Sequence, residues 1–342
     1  MRRVKIVQYG VGPIGAEVAR YALKKSGLQF VGAVDIDPKK VGKDFGEAVG
    51  GPKIGVSITN DAKQLLAKTE PDLVLHSTGS YLKDVKPQLL EIMKSGADVI
   101  STCEELSYPF LKNPAIAKEL DRAAGRNKVT LLGTGVNPGF VMDVLVLTAT
   151  GVCQEVRSVK SSRIQDASCR RLPFQKKIGA GLTPEEFRLK VADGTIKHVG
   201  FQESIAMIAS GLGWKLDRID ETVEPKLAEN PVASEYLRVE AGQVAGVNQR
   251  GIGIVGGEPL IVLNLQAYLG CPDPREWIVI EGRPKIDLTV KGGVHGDIAT
   301  ASVIVNSIPR VLNSRPGLMT MKDLSAPSAW FGELQNFVQR KL

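Results

Sequence analysis

The chain has 342 residues, enough for about two domains with a sizeable hydrophobic core. Its composition, 43% hydrophobic and 24% charged, is that of a globular protein, and no run of about 18 apolar residues or signal-peptide pattern is present, so we expect no membrane span. The net charge of +7 is spread among acidic residues and only 5% of residues are aromatic, which argues against a nucleic-acid partner.

The first 150 residues alternate between strand-like and helix-like segments. Short apolar runs predict strands at Val4–Tyr9, Phe30–Asp35, Leu73–Ser77, Asp98–Thr102 and Val129–Gly133. Amphipathic or capped segments predict helices at Pro13–Lys24, Ala62–Ala67, Val85–Ser95 and from Asn113 to about Gly125. This alternation predicts an α/β fold, a Rossmann-type doubly wound parallel sheet with helices on both faces.

The pattern changes after about residue 150. Strands are expected at Val156–Ile164, Ile254–Ala267, Trp277–Glu281 and Ile286–Val290. Helices are expected after the capping box Thr183–Glu186, at Ile205–Leu212 and, as an apolar returning segment, at Gly296–Leu312. We therefore expect a dinucleotide-binding domain (1–137), an α+β substrate and dimerisation domain with an open mixed sheet (138–294) and a C-terminal segment packing back on the first domain (295–342).

The segment between the first strand and the first helix has the spacing G-x-G-x-x-G. Gly10 permits the tight turn, Gly12 allows backbone amides to approach a pyrophosphate, and Gly15 permits close packing of helix on strand. Together with Pro13 and Ile14, these residues open a helix whose N-terminus attracts the anion. A glycine turn chosen for packing alone stays an alternative, but the position of the motif between strand and helix, with Asp35 further along, favours dinucleotide binding.

Asp35 closes the second strand 20 residues after Gly15, where a carboxylate meets the ribose hydroxyls of a dinucleotide. The carboxylate should repel a 2′-phosphate, so NAD is the expected cofactor. Lys39 and Lys40 follow and could accommodate that phosphate if the loop bends, or they could be part of a solvated turn. NADP therefore stays open.

Polar residues follow other predicted strands, at the edge of the sheet where doubly wound folds bind ligands. Candidates to contact the cofactor here are Ser77, Thr78, Gly79, Thr102, Cys103 and Asn137. His76, at a strand end, fits a packed neutral imidazole better than a catalyst. Cys103 fits a buried, inert thiol better than a nucleophile, since no base is identifiable nearby.

Glu104 and Glu105 follow the strand that ends near Thr102. A carboxylate near the nicotinamide can accept a proton or stabilise a cationic iminium. The same two acids could equally begin a loop or helix. Position alone does not decide between these roles.

The remaining candidates for chemistry are few. His295 starts the returning helix and could form a wall of the active site, whereas His198 fits an ordinary polar turn. The histidines and the four cysteines show no metal-ligand spacing, so no metal site is expected. Free thiols indicate a reducing, cytoplasmic compartment.

Several segments resemble one known family, the 2,4-diaminopentanoate dehydrogenases and native NAD(P)-dependent amine dehydrogenases. The segments that carry the resemblance are Gly10–Gly15, Ser101–Glu105, Gly135–Asp143, Asp166–Arg171, Gln175–Gly181 and His295–Thr300. The first domain also resembles that of dihydrodipicolinate reductase. That enzyme's paired-histidine and lysine segment has no counterpart here, so its reaction is not expected.

The resemblance implies a two-domain homodimer. Composition and hydropathy, as above, predict no nucleic-acid or membrane partner. It implies oxidative deamination of 2,4-diaminopentanoate, or a related amine, to the ketone and ammonia, and the reverse reductive amination. By the match of the Thr-x-Glu-Glu segment, the essential glutamate is Glu104. Substrate contacts are implied for Phe140, Arg163, Gln165 and His295.

Two other classes remain open from the sequence. One is a different Rossmann oxidoreductase, such as a homoserine or semialdehyde dehydrogenase. The other is a non-catalytic NAD-binding protein, which would bind the cofactor without turning over any amine.

Overall fold

The computed structural model describes residues 2–339. The chain forms two compact units. Unit 1 contains the residues up to Phe140 together with the segment from His295 onward, and unit 2 is Val141–Val294. Along the described part of the chain, no helix has both the length and the apolar character needed to cross a membrane.

Unit 1 is built on a parallel sheet. Its strands are β1 (Val4–Tyr9), β2 (Leu28–Val34), β3 (Ile58–Thr59), β4 (Leu73–His76), β5 (Asp98–Ser101), β6 (Thr130–Gly133) and β15 (Gly317–Met319). Its helices are α1 (Pro13–Ala22), α2 (Phe45–Ala48), α3 (Ala62–Thr69), α4 (Leu82–Lys94), α5 (Pro114–Asn127), α10 (Gly296–Asn306) and α11 (Ile308–Leu312). The strand order is β15-β6-β5-β4-β1-β2-β3 and every pairing is parallel, which confirms the predicted doubly wound sheet.

The order of the strands reverses at β1, which lies between β2 and β4. Such a switch point opens a crevice at the carboxyl ends of the strands. β4, β5 and β6 are completely buried, as expected of strands covered on both faces.

The returning segment differs from its prediction as a single helix over Gly296–Leu312. It is divided at Ser307 into α10 and α11, and Pro309 lies in the first turn of α11. Proline lacks the N–H that would continue the hydrogen-bonding of the preceding helix, so a new helix begins here. The chain then adds β15 beside β6 at the sheet edge. This strand has only three residues, too few to show an alternating pattern in the sequence, and it was not predicted.

Unit 2 is built on a mixed sheet, as predicted. Its strands are β7 (Glu155–Asp166), β8 (Arg218–Leu227), β9 (Val232–Ala233), β10 (Arg238–Val239), β11 (Val244–Val255), β12 (Glu258–Tyr268), β13 (Arg275–Arg283) and β14 (Ile286–Lys291). Its helices are α6 (Val144–Thr150), α7 (Leu172–Lys177), α8 (Pro184–Ala192) and α9 (Phe201–Gly211). The six-stranded sheet has the order β14-β13-β7-β12-β11-β8, in which only β12 and β7 pair in parallel among the described strands.

The expectation of one strand over Ile254–Ala267 is wrong. The segment belongs to two antiparallel strands, β11 and β12, which reverse at Gly256 and Gly257. Both glycines have positive φ, 59° and 83°, the conformation that a two-residue hairpin turn requires. The two glycines between apolar runs were a usable turn signal in the sequence.

The six-stranded sheet has two different faces. The inner face packs α6 and α9 over a hydrophobic core that includes Val159, Ile261, Leu263 and Ile278.

The capping box that starts α8 is present as predicted, with Thr183 and Glu186 hydrogen-bonded to each other's backbone N–H.

Candidate active site

The loops that follow five parallel strands meet at one edge of the unit 1 sheet. Their first residues follow Tyr9, Val34, His76, Ser101 and Gly133, the last residues of β1, β2, β4, β5 and β6. The loops predicted to contact the cofactor therefore lie at the carboxyl edge. This is the edge at which doubly wound sheets bind ligands.

The first of these loops has the geometry that dinucleotide binding requires. Gly10 has a φ of +90°, and a Cβ there would collide with the carbonyl oxygen of Ser77. A Cβ on Gly15 would collide with the carbonyl oxygen of Gly10, so only glycine lets α1 start this close to β1. Around Gly12, the residue before α1, a Cβ would meet no heavy atom within 4 Å. The backbone thus presents a helix N-terminus with space beside it.

Asp35 holds this loop from the end of β2. Its Oδ2 accepts a 2.8 Å hydrogen bond from the N–H of Val11, and its Oδ1 accepts one of 2.8 Å from the N–H of Asp37. The ammonium of Lys40 lies 3.4 Å from Oδ2. Burial alone would raise the pKa of Asp35, but these hydrogen bonds and Lys40 hold it below its ordinary value. The side chain is therefore an anion and an acceptor, as ribose hydroxyls require.

His76 is a structural residue. Its Nδ1 lies 2.8 Å from Ser101 Oγ, and its Nε2 lies 2.8 Å from Gln88 Oε1 and 2.9 Å from Thr78 Oγ1. Burial lowers the pKa of this imidazole to about 4, so the ring is neutral. The structure agrees with the interpretation of a packed neutral histidine.

Glu104 and Glu105 begin a short 3-10 helix directly after β5, but their side chains differ in role. Glu105 accepts a 2.8 Å hydrogen bond from the N–H of Leu82, the first residue of α4, and one of 3.4 Å from Asn113. The half-buried Glu104 makes neither contact. Glu105 is thus used to hold the start of a helix.

Cys103 is an inert thiol. Burial, followed by the charge of Glu104, raises its pKa far above the ordinary value. Its Sγ donates to the carbonyl of Ser80 at 3.3 Å. Thiolate chemistry is thereby disfavoured.

The loop after β6 brings an amide to the same edge. The N–H of Thr134 donates to the carbonyl of Ser101, and the N–H of Val136 lies 3.4 Å from Thr300 Oγ1 on α10. The Asn137–Pro138 peptide is cis. The loop ends at the half-buried Phe140. It is thus supported by β5 on one side and by α10 on the other.

His295 is the exposed residue that precedes α10, and its carbonyl accepts the hydrogen bond of Ala299 N–H. No side-chain cap is formed by His295 at this helix start. Within the described residues, no group of three or more His, Cys, Asp or Glu side chains has the arrangement of a metal site.

In unit 2, Arg163 is buried rather than open to solvent. Only 2% of its side chain is exposed, and its Nη1 lies 3.2 Å from Oε1 of Glu276, which is also 2% exposed. Its Nη2 donates to the carbonyl of Val294 at 3.0 Å, and the amide oxygen of Gln165, in its satisfied orientation, accepts from Nε and Nη2. Arg163 and Gln165 are therefore brought together, with a glutamate beside them.

Sequence reasoning missed Glu276. A signal existed: Glu276 alternates with Ile278 and Ile280 on the inner face of β13, so a carboxylate stands in a row of core residues. A charge at such a position requires a partner. The register that pairs Glu276 with Arg163 on β7 comes only from the fold.

The residues at the unit 1 edge fit a dinucleotide cofactor. Two buried polar atoms there, Ser77 Oγ and Asn137 Nδ2, have no hydrogen-bond partner among the described residues. Buried polar atoms are nearly always satisfied, so orphans at a ligand edge indicate contacts with a ligand. The carboxylate of Asp35 suits the ribose hydroxyls of such a cofactor, and the open space at Gly12 suits its pyrophosphate.

Comparison with known proteins agrees with this geometry. Residues 140–340 match the sequence profile of the 2,4-diaminopentanoate dehydrogenase C-terminal domain, and residues 4–95 match that of the dihydrodipicolinate reductase N-terminus. The chain is 35% identical to 2,4-diaminopentanoate dehydrogenase of Acetoanaerobium sticklandii, over 100% of this chain and 99% of that protein. It is 25% identical to an amine dehydrogenase of Streptomyces virginiae, over 94% and 96% of the two chains.

A solved structure gives the same result. The amine dehydrogenase from Mycobacterium smegmatis superimposes with a TM-score of 0.84 at 26% identity, over 96% of this chain and 97% of that one. The fold and the carboxyl-edge site define an NAD(P)-dependent dehydrogenase. Within that class, the chain belongs to the 2,4-diaminopentanoate dehydrogenase family.

Proposed function

We propose that this protein catalyses the NAD(P)-dependent oxidative deamination of 2,4-diaminopentanoate, or a closely related amine, to the 4-oxo product and ammonia, and the reverse reductive amination. The observation that carries the proposal is the family match over the whole chain, which includes the glutamate segment at the end of β5. The alternative dehydrogenases on the same fold are not favoured, because the match extends through the second unit.

Glu104 is the proposed proton acceptor. The substrate ammonium must lose a proton before a hydride can leave the adjacent carbon, and a half-buried carboxylate after β5 suits this role. As the carbon–nitrogen bond gains double-bond character, the same carboxylate stabilises the positive charge. Water then adds to the iminium carbon, and Glu104 moves the protons as ammonia leaves.

The nicotinamide, when bound, accepts the hydride. We assign the cofactor contacts to Gly10, Gly12, Pro13, Ile14, Gly15, Asp35, Ser77, Thr78, Gly79, Thr102, Cys103 and Asn137. Asp35 favours NAD, because a 2′-phosphate would approach an anion held by backbone N–H groups. Lys40, at 3.4 Å from Asp35, supports some use of NADP.

The substrate contacts proposed are Phe140, Arg163, Gln165 and His295. Support for Arg163 and Gln165 comes from their direct contact, since a guanidinium fixed by neighbours loses less entropy when it binds a carboxylate. Support for Phe140 is its position at the end of the loop after β6. His295 is supported only by its position before α10.

We also propose a homodimer formed through unit 2, residues 141–294. The outer face of its sheet carries apolar side chains, among them Ile164, Ile252, Val262 and Trp277, none of which belongs to the inner core. Trp277 is 39% exposed. Apolar side chains that remain partly exposed on a sheet face are typical of an interface, and two-fold dimers are the commonest oligomers. The four free cysteines suit a cytoplasmic location.

The direct test is cofactor reduction in the presence of a panel of amines that includes 2,4-diaminopentanoate. We expect reduction of NAD with this amine, and oxidation of NADH by the ketone only when ammonia is present. Ketone reduction without ammonia would indicate an alcohol or semialdehyde dehydrogenase. Binding of NAD without turnover of any amine would indicate a non-catalytic protein.

A further inference from the structure

The buried ion pair of Arg163 and Glu276 in unit 2 leaves one polar atom on each side chain without a hydrogen bond. Glu276 Oε1 lies 3.2 Å from Arg163 Nη1 and accepts a hydrogen bond from the N–H of Val294 at 3.2 Å. Glu276 Oε2 has no hydrogen-bond partner in the described part of the chain. Arg163 Nη1 likewise makes no hydrogen bond with a described residue, although it lies within ion-pair distance.

Buried polar atoms that lack a hydrogen bond lower the free energy of unfolding. Both side chains are 2% exposed, so bulk solvent does not supply the missing hydrogen bonds. Burial raises the pKa of Glu276 and lowers that of Arg163, each against the opposing effect of its partner. A positive group placed at Oε2 and a negative group placed at Nη1 would relieve both costs.

The charges around the pair suit a ligand that carries both signs. Arg170 contributes a further positive charge that acts on Arg163. A carboxylate at Arg163 Nη1 would meet one guanidinium in the field of a second, since Arg170 Nη1 lies 3.5 Å from Gln165, while Glu276 Oε2 offers a single acceptor for an ammonium. The head of an α-amino acid carries this combination on adjacent atoms.

We propose that Glu276 and Arg163 together recognise the 2-amino-carboxylate head of the substrate, with Arg163 binding the carboxylate and Glu276 Oε2 binding the 2-ammonium group. This rests on the proposed function, and it makes Glu276 a residue that determines specificity. Amines with an amino-acid head are then preferred over 4-aminopentanoate, which lacks the 2-ammonium group, and over 2-aminopentane, which lacks both charges.

The first test is calorimetric binding to the protein in the presence of NAD, using 2-aminopentanoate and pentanoate as probes. The wild type is expected to bind 2-aminopentanoate about tenfold to a hundredfold more tightly, the ratio typical of a charge-assisted hydrogen bond. Equal affinities would overturn the proposal. This comparison needs no variant and no turnover, so it also stands if the proposed reaction fails.

The second test is Glu276→Gln, which keeps an oxygen for the Val294 N–H but loses the charge. The ratio of kcat/KM for 2,4-diaminopentanoate over 4-aminopentanoate should fall about tenfold or more, with 4-aminopentanoate itself little affected. An unchanged ratio, or an equal fall for both amines, would reduce Glu276 to a support for Arg163 and overturn the proposal.

Glu221→Gln is the matched control. Its carboxylate is also nearly buried in unit 2, but both oxygens are satisfied, by Gln202 and Gln249. The substrate ratio should not change. If Glu276→Gln does not fold because Arg163 is left uncompensated, the variant Arg163→Met with Glu276→Met removes both charges. It should bind 2-aminopentanoate and pentanoate equally, and a retained difference would contradict the assignment.

If no amine is turned over but 2-aminopentanoate still binds preferentially, the proposed reaction is wrong and the recognition site stands. If amines are turned over with no preference for the amino-acid head, the reaction stands and the recognition site is wrong.

Discussion

At the scale of single residues, adjacent positions acquire different roles from the backbone between them. Glu104 and Glu105 are identical in chemistry and follow the same strand. The 3-10 helix that they begin turns Glu105 toward the N–H of Leu82. A carboxylate there interacts favourably with the start of α4 and is unavailable for chemistry.

Glu104→Gln should lower kcat for both deamination and reductive amination by about 10²–10⁴-fold, because the amide neither accepts the proton nor carries the charge that stabilises the iminium. NAD binding and the melting temperature should change little. Steady-state rates at saturating amine and a thermal melt provide the measurement.

Glu105→Gln is the control for this variant. Its amide oxygen can still accept from Leu82, so turnover should be retained with a small loss of stability. Comparable turnover of wild type and Glu104→Gln would contradict the proposed mechanism. If both variants lose turnover equally and also melt at a lower temperature, the role of Glu104 and Glu105 is only to stabilise the loop after β5.

Asp35→Ala should weaken NAD binding about tenfold to a hundredfold and shift the preference toward NADP, because Lys40 loses its closest carboxylate. Titration with each cofactor gives the two affinities. Asp37→Ala is the matched control, since Asp37 also lies near Lys40 (3.6 Å) but accepts no hydrogen bond from the glycine loop. A strong NADP preference in the wild type would refute the assignment of Asp35.

At the scale of elements, buried polar networks connect the secondary structure beneath the candidate site. His76 on β4 contacts Ser101 on β5 and Gln88 on α4. One imidazole thus joins two neighbouring strands and the helix that covers them. Such a network must be fully satisfied to stabilise the fold.

This network predicts a pH dependence of stability. The pKa of His76 is about 4 in the folded protein and about 6.5 when unfolded, so below pH 6.5 the unfolded state binds the additional proton. Stability from this residue is complete above that pH and falls by about 2 kcal/mol by pH 5. Melting temperatures at pH 7 and pH 5 should differ less for His76→Asn than for the wild type.

His198 in unit 2 gives a comparison, because burial lowers its pKa to about 4 as well. His198→Asn should also reduce the difference in melting temperature between pH 7 and pH 5, because it removes a second buried imidazole, this one in unit 2. An identical loss on acidification in wild type and in His76→Asn would show that His76 does not titrate as described.

At the scale of the whole molecule, the sheet of unit 2 leaves apolar side chains on the face outside its own core, beside polar ones such as Lys160 and Asn264. β12 alternates between inner residues such as Ile261 and Leu263 and outer residues such as Val262. An outer face with this character is expected to be covered by a second copy of the chain.

Light scattering at micromolar concentration should therefore give the mass of a dimer. Val262→Glu should produce monomers, because a carboxylate would be buried at the centre of the interface. Val152→Glu is the control, since Val152 is 68% exposed and precedes the sheet. A monomeric wild type, or an unaffected Val262→Glu, would contradict this interface.

Local sequence patterns were sufficient for the parallel sheet and for the conformation of the glycine-rich loop. Each strand of unit 1 from β1 to β6 except the two-residue β3 was predicted, because apolar runs between helices need no distant information. The glycine spacing and Asp35 were predictable for the same reason: the turn, the helix start and the strand end are contiguous features.

Tertiary structure decided the remaining features. The pairing of Arg163 with Glu276 joins residues 113 positions apart, and the short β15 is a strand only because β6 lies beside it. The sequence showed that Glu105 is a carboxylate after a strand. Its hydrogen bond with the N–H of Leu82, at the start of α4, depends on where that helix packs. Periodicity determines which face of an element is buried, whereas the partner on that face is set by register and packing, which are properties of the whole fold.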